Sequence, residues 1–444
     1  MKLEKNIIIT DNSVDDMNEF KNGIRETSNI EFKTYAMNAN KGRGNKLKNF
    51  IRYLKYFYFP FIIFLNRRKV ERIIAWQQFY GLIYAFYCKI FNVKKRNYLY
   101  INVFIYREKK GIIGKIYYKF MKYIVTSEYI DKMSTTSKNE CELYSKIFDV
   151  NKEKFVFTPF GVNSIEEAVK DIEEDKDKFI LSLGRSNRDF DFLIETLKDT
   201  EYKVKIICDE FRTNIKYDNV EIINNVYGKK SWEYIKRCFC MVIPIKNPEI
   251  SAGQTVLLNS MQLRKPIIIT ESKGLTDDYI ESGKTGIIIK KKREELLKAL
   301  NSLFENQEFY DEIADNEYEL YKEKFSINVL GKLVGDIIKE RWNMKVDIIT
   351  RHSVPNYGSL LQSYATQKTI EEMGFESEII NYTRYEERYR NLVNSLIKGK
   401  KWDKNIITRA IYKIIQTPNY AKMYKKFEKY RKNFLKESNL VYGN

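Results

Sequence analysis

The chain has 444 residues, 43% hydrophobic and 14% aromatic, which suffices for two or three domains with full-sized cores and excludes a disordered polyelectrolyte. Lys and Arg number 78 against 59 Asp and Glu, a formal charge of +19, so anionic partners suit it: nucleic acid, anionic lipid or phosphorylated sugars. The five cysteines lack C-x-x-C spacing, which excludes a zinc framework and fits a reducing compartment, and no apolar run nears the ~18 residues of a membrane span.

The opening residues carry no signal-peptide core, so a cytoplasmic protein is expected. Residues 5–10 read as a strand, 11–26 as a helix and 30–35 as a second strand. After the first strand stands Asp11-Asn12-Ser13 rather than a glycine-rich turn, so no phosphate loop is visible there. Residues 41–69 place aromatics (Tyr56-Phe57-Tyr58-Phe59-Pro60-Phe61) between basic clusters, with Arg67-Arg68-Lys69 closing the segment. That order fits either contact with the anionic inner face of a membrane or a helix packed on its own sheet.

Residues 70–75 and 98–104 are further buried strands. Strand ends in an α/β sheet face the ligand crevice, which makes Gln77, Gln78 and Arg107 candidate acceptor contacts; the alternative is ordinary polar loop residues. A late strand at 133–137 ends in Ser137, a helix follows at 138–148, and a last strand reaches Thr158-Pro159-Phe160-Gly161-Val162. The acidic run 166–177 reads as a solvated linker.

A second set of strands follows at 179–183, 204–208, 220–223, 239–243 and 267–270, alternating with helical stretches, the pattern of a parallel sheet. The first of them runs into Gly184-Arg185-Ser186-Asn187-Arg188, and a polar turn, Ser251-Ala252-Gly253-Gln254-Thr255, leads into a helix. A glycine at a strand end lets a phosphate approach the backbone, and arginines with a helix N-terminus supply the opposing charge. The other possibility for Arg185 and Arg188 is surface pairing with Asp189 or Asp191.

These motifs resemble the C-terminal domain of family 4 glycosyltransferases of the GT-B fold. Gly184 and Arg185 match the family's Gly-Arg, and Arg188 falls where the family has Lys. At the two positions of its Glu-x7-Glu signature stand Ser251 and Asn259. The resemblance implies an α/β protein of GT-B fold, two Rossmann-like domains facing across a cleft: an acceptor domain at 1–163 and a nucleotide-sugar donor domain at 164–342, closed by a helix crossing back to the first. Implied donor-binding residues are Gly184, Arg185, Arg188, Ser251, Gly253, Gln254, Thr255 and Asn259. No metal ligand set is recognised, no catalytic residue is identified, and no cofactor or obligatory metal is expected.

At Met344 the chain starts afresh with a strand at 344–350, then Asn356-Tyr357-Gly358-Ser359-Leu360-Leu361-Gln362-Ser363-Tyr364-Ala365-Thr366-Gln367, a helix to Met373-Gly374 and a strand at 376–382. This resembles the opening of polysaccharide pyruvyl transferases. A partial α/β segment at 343–444 is expected, its remainder helical, loosely attached and without a second sheet. The single histidine, His352, is expected on a loop and not as a catalyst.

The implied function is a retaining glycosyltransferase, moving a sugar from a nucleotide-sugar to a polysaccharide or lipid-linked glycan in bacterial surface polysaccharide synthesis. It would sit in the cytoplasm, peripheral on the inner face of the membrane. The alternative is a non-catalytic degenerate transferase fold, fused to a pyruvyl transferase fragment, that acts as a scaffold in polysaccharide assembly. Nucleic acid is not an expected partner, because no reading motif accompanies the charge.

Overall fold

A computed structural model describes residues 3–37, 46–95, 97–213, 217–340, 345–372, 375–382 and 397–442. The chain divides into two compact units, Met1–Asp336 and Ile337–Asn444. The first unit holds two six-stranded sheets, parallel throughout.

The first sheet comprises β1 (Asn6–Thr10), β2 (Lys33–Ala36), β3 (Arg72–Ala75), β4 (Tyr98–Ile101), β5 (Lys132–Thr135) and β6 (Phe155–Phe157), in the order β2-β1-β3-β4-β5-β6. Ile7, Ile8 and Ile9 of β1 and Ile73, Ile74 and Ala75 of β3 are fully buried. Their unbroken apolar runs follow from a sheet covered by helices on both faces. The strand expected at 98–104 stops at Ile101, because Val103 takes a φ of +53° and turns the chain into the crevice.

The second sheet comprises β7 (Phe179–Leu183), β8 (Lys203–Ile207), β9 (Val220–Ile223), β10 (Cys240–Ile243), β11 (Ile267–Thr270) and β12 (Ile287–Ile289), in the order β12-β11-β10-β7-β8-β9. Leu181, Met241 and Ile269 pack one face against Leu257, Leu258 and Met261 of the helix Gln254–Gln262. Ile180, Val242 and Ile268 pack the other against Leu193, Leu296 and Leu300. In each sheet the strand order reverses at one place, between β1 and β3 and between β7 and β10. These are the points where crevices open at the strands' carboxyl ends. The acidic run is largely solvent-exposed, as expected of a linker, and is anchored at points: Val169 is buried, Glu174 pairs with the buried Lys265, and Asp177 pairs with Lys203 at 2.8 Å.

The second unit corrects the expectation of a loose helical tail. Strands β13 (Lys345–Ile348), β14 (Glu376–Tyr382) and β15 (Glu437–Tyr442) form a parallel sheet in that order. The third strand comes from the expected helical remainder, after a helix at Ile406–Phe434. Gln367 explains how it is held: its Nε2 donates to Ser377 O (3.3 Å) and Lys436 O (3.1 Å), and its Oε1 accepts from Lys436 N (3.1 Å). Ile348, Leu360, Ile379, Phe427 and Leu435 make a small core. His352 lies fully buried, with Nε2 3.4 Å from Glu437 Oε1. Met344, Met373 and Gly374 lie outside the described residues.

The aromatic segment is a helix, Lys46–Leu65, whose Tyr56, Phe59, Ile63 and Phe64 join the first domain's core. Tyr53, Leu54, Phe57 and Tyr58 remain exposed on its other side. Residues 41–45 lie outside the described residues. More exposed still is the helix Gly111–Val125, where Ile112, Ile113 and Ile116 are 78%, 75% and 63% exposed.

The helix Ile327–Glu340 returns to the first domain and lies on the helix Asn18–Ser28. Glycines permit the approach: a Cβ on Gly331 would stand 2.2 Å from Phe20 O, and one on Gly23 2.1 Å from Asn328 O. Thr27 Oγ1 donates to Lys332 O at 3.0 Å, and Lys332 pairs with Glu26 at 2.8 Å. We expect Gly331→Ala to destabilise the protein. Alanine gains about 1 kcal/mol of helix propensity, but pressing a methyl on an immovable backbone oxygen costs about 1–3 kcal/mol. A wild-type urea midpoint for this variant would refute the packing.

Candidate functional site

The carboxyl ends of β7 and β10 carry two loops that interlock. Asn187, at φ +57°, donates from Nδ2 to Asn247 O (2.9 Å) and Ile250 O (3.1 Å), and its Oδ1 accepts from Asn247 N (2.8 Å). Asp189 N donates to Pro244 O at 2.8 Å. Arg188 sits between the loops. Its Nε donates to Leu183 O (3.3 Å) and its Nη1 to Ser186 O (3.1 Å) and Ala252 O (3.4 Å).

Two glycines make room for that guanidinium. Gly184 has φ +140° and Gly253 φ +125°; a Cβ on either would come within 3.0 Å of an Arg188 nitrogen. Burial pulls the Arg188 pKa down to about 10, which leaves it cationic at neutral pH. The two arginines predicted as equals are therefore unequal. Arg188 is largely committed to carbonyls, whereas Arg185 is exposed and makes no hydrogen bond or ion pair among the described residues. Neither pairs with Asp189, which caps the helix Phe190–Leu197 at Phe192 N and binds Lys291 at 2.9 Å.

Both arginines line a cavity of about 500 Å³ with Gly184, Ser251, Gly253, Gln254 and Thr255. The N-terminus of the helix Gln254–Gln262 opens into it, presenting backbone N–H groups and the positive end of the helix dipole. Three lining residues escaped the sequence reading. Asp209 and Tyr227 form a hydrogen-bonded pair, which with Asn225 N holds the Asp209 carboxyl below its usual range; Arg185 adds to the effect. Glu140 comes from the first domain, bonded to Thr136 and Tyr144 at 3.3 Å each, and burial raises its pKa. No motif marks these positions: Asp209 and Tyr227 follow β8 and β9 and meet only through the pairing of those strands, and Glu140 reaches the cavity through domain apposition.

Ser251 and Gln254, expected to touch the donor, also tie the two domains together. Gln254 Nε2 donates to Thr136 Oγ1 at 3.3 Å and to Ser251 Oγ, which itself donates to Gly274 O at 2.8 Å. Tyr279 OH donates to Thr136 O and accepts from Phe160 N, both at 2.8 Å. Asp278 accepts from Lys138 N at 2.9 Å.

A second cavity, of about 880 Å³, lies between the domains at the β1/β3 reversal and shares Val103, Ile105, Phe160 and Thr255 with the first. Asn259 lines this cavity and not the one holding the arginines, so the polar positions predicted as one donor site are divided between two. Gln77 and Gln78 line it as well, and each also makes an internal hydrogen bond through Oε1. Gln77 caps the helix Gln78–Ile90 at Phe79 N (3.0 Å), and Gln78 Oε1 accepts from Ile105 N (3.0 Å). Arg107 is exposed and lines neither cavity, since β4 ended six residues earlier and the chain has already left the crevice. Val103, which lines both, is a β-branched residue in left-handed backbone, a strain of about 1–3 kcal/mol. Its N–H is held by Ser134 Oγ at 2.8 Å.

Residues 163–320 match the family model described as glycosyl transferases group 1, and that stretch carries such a domain. No curated protein matches the chain in sequence. Among solved structures, HepE of Anabaena in complex with UDP-glucose is similar at 12% identity and a TM-score of 0.53, over 76% of this chain and 99% of that one. A sucrose-phosphate synthase of Thermosynechococcus elongatus is similar at 13% identity and 0.53, over 76% and 99%. WaaG, a glycosyltransferase involved in lipopolysaccharide biosynthesis, is similar at 12% identity and 0.50, over 75% and 99%. The fold is GT-B.

The inequality of the arginines gives a test. A charged hydrogen bond contributes about 1.5–3 kcal/mol, so Arg185→Ala should weaken nucleoside-diphosphate binding by roughly one to two powers of ten without lowering the melting temperature. Arg188→Ala should lower both, because it strips donors from three carbonyls. Calorimetric titration and thermal unfolding separate these outcomes; unchanged affinity in both variants would remove the cavity as an anion site.

Proposed function

We propose that the protein is a retaining glycosyltransferase of family 4 type, transferring a sugar from a nucleotide-sugar to a polysaccharide or lipid-linked glycan in bacterial surface polysaccharide synthesis. The observation that carries this reading is the first cavity: exposed Arg185, the Nη2 edge of Arg188 and a helix N-terminus converge where two glycine-bearing loops meet. A departing nucleoside diphosphate develops charge on its phosphates, and fixed cations with backbone N–H groups stabilise that charge without reorganising. No resident metal or cofactor is part of this reading. HepE was solved with UDP-glucose, so UDP sugars are the first donors to try.

A non-catalytic scaffold is the second reading, favoured by Ser251 and Asn259 where the family has carboxylates. Its resemblance to a pyruvyl transferase opening leaves the second unit an accessory on either reading. Thermal-shift titration with a panel of nucleoside diphosphates, followed by donor hydrolysis assays, decides between them. Turnover that falls in Arg185→Ala supports the enzyme. Binding without turnover of any donor supports the scaffold.

The protein would work against the inner face of the membrane. No described helix is long and apolar enough to cross one, but two helices of the first domain expose apolar side chains beside basic ones. Ile112, Ile113 and Ile116 alternate with Lys109, Lys110 and Lys115, and Tyr53, Leu54, Phe57 and Tyr58 stand on the helix Lys46–Leu65. Each basic residue near an anionic surface contributes about 1 kcal/mol and is screened by salt. Binding to phosphatidylglycerol vesicles should therefore weaken as salt rises, and Ile112→Asp with Ile116→Asp should weaken it further. Vesicle sedimentation with no bound protein at low salt would sink the membrane reading.

A further inference from the structure

We propose that the second cavity is an acceptor subsite for an uncharged, hydroxyl-rich sugar ring, and that it disfavours a phosphate or other anionic group at that position. The proposal rests on the glycosyltransferase reading above and deepens it.

The first observation is charge. The chain carries a formal +19, yet the described residues lining this cavity of about 880 Å³ include Asp11, Asp15 and Asp16 and, among them, no lysine or arginine. The adjoining cavity holds Arg185 and Arg188. Glu140 and Asp209 also line that first cavity, but only there do cations stand beside the acids among the described residues, so the cleft is more negative at the second cavity than at the first.

The second observation is surface. Of the four Trp in the chain, Trp76 and Trp232 both line this cavity, one from each domain. Trp76 is held by an edge contact with Phe20, ring centroids 4.9 Å apart. Indole faces offer a broad apolar platform for the C–H face of a sugar ring.

The third is hydrogen-bonding capacity left open. Asn102 is 2% exposed, and its Oδ1 faces Ser134 Oγ at 3.5 Å. Asn259 is 7% exposed, and its Oδ1 accepts from Gln262 Nε2 at 3.1 Å. Neither side-chain amide NH2 makes a hydrogen bond among the described residues, although both residues line the cavity. Both residues are almost wholly buried yet line the cavity, so these donors are held in place and open toward it, where a ligand oxygen is their natural complement. Asp11 supplies the reverse polarity. Tyr80 OH donates to its Oδ1 (2.6 Å) and Tyr56 OH lies 3.5 Å from Oδ2, fixing the carboxylate at the end of β1 with lone pairs left for the cavity. Donors and acceptors together, with no cation among the described lining residues, match hydroxyl groups, each of which both donates and accepts.

The test uses the full chain, first saturated with UDP or whichever nucleoside diphosphate binds. Neutral oligosaccharides ending in glucose, galactose, mannose or N-acetylglucosamine are then titrated beside their 6-phosphorylated counterparts. We expect at least one neutral ligand to bind at least tenfold more tightly than its phosphorylated form. Trp76→Ala and Asp11→Asn should weaken that binding about tenfold and leave nucleotide affinity unchanged. Equal or tighter binding of the phosphorylated forms, or no binding of any neutral ligand, would overturn the proposal. So would a loss of nucleotide affinity with sugar binding intact, which would give the cavity to the donor's nucleoside. If no nucleoside diphosphate binds at all, it is the glycosyltransferase reading that fails, and the proposal with it.

Discussion

The clamp that Arg188 forms between Gly184 and Gly253 is the constraint on which the rest of the site depends. A guanidinium bonded to three backbone carbonyls joins the loops after β7 and β10, and only residues without a Cβ leave it room. With those loops fixed, Arg185 points outward and the helix Gln254–Gln262 starts beside it. The arginine that shapes the site and the arginine offered to a ligand are different residues three positions apart.

Closure of the cleft depends on polar contacts that cross between the domains. Thr136 receives Gln254 through its hydroxyl and Tyr279 through its carbonyl, while Asp278 takes the N–H of Lys138. These are single hydrogen bonds, each worth about 0.5–1.5 kcal/mol net, so they set a preferred domain approach without locking it. The permanent link lies elsewhere, in the glycine-lined contact of the helix Ile327–Glu340 with the first domain. A strong hinge contact with weak contacts at the mouth suits a cleft that must open for substrates. The arginines stand at the β7/β10 reversal and Asp11 at the β1/β3 reversal, so the two cavities differ in charge although both domains line each of them.

The sheets were legible in the sequence for a simple reason. Runs such as Ile7-Ile8-Ile9 and Ile267-Ile268-Ile269 are apolar on both faces, a pattern that a helix-covered parallel sheet requires and few other structures tolerate. Gly184, Arg185, Arg188 and Gly253 stood out as well, because glycine at a strand end and arginine beside a helix start are local signals, and all four line one cavity. Polar residues near strand ends divided three ways: Gln77 and Gln78 line the second cavity while also bonding a helix cap and a loop N–H, and Arg107 lies past a turn set by the positive φ of Val103.

The sequence by itself therefore determined the strands, their parallel arrangement and one half of the cleft, because periodicity and backbone chemistry are local properties. Only the tertiary structure decided how duties are divided: Arg188 inward and Arg185 outward, Asn259 in the cavity away from the arginines, Glu140 brought to the arginines' cavity by the opposite domain. It also decided that residues 437–442 complete a third parallel sheet. Each of these outcomes depends on which distant backbone atoms lie within hydrogen-bonding reach, and separation along the chain does not encode that distance.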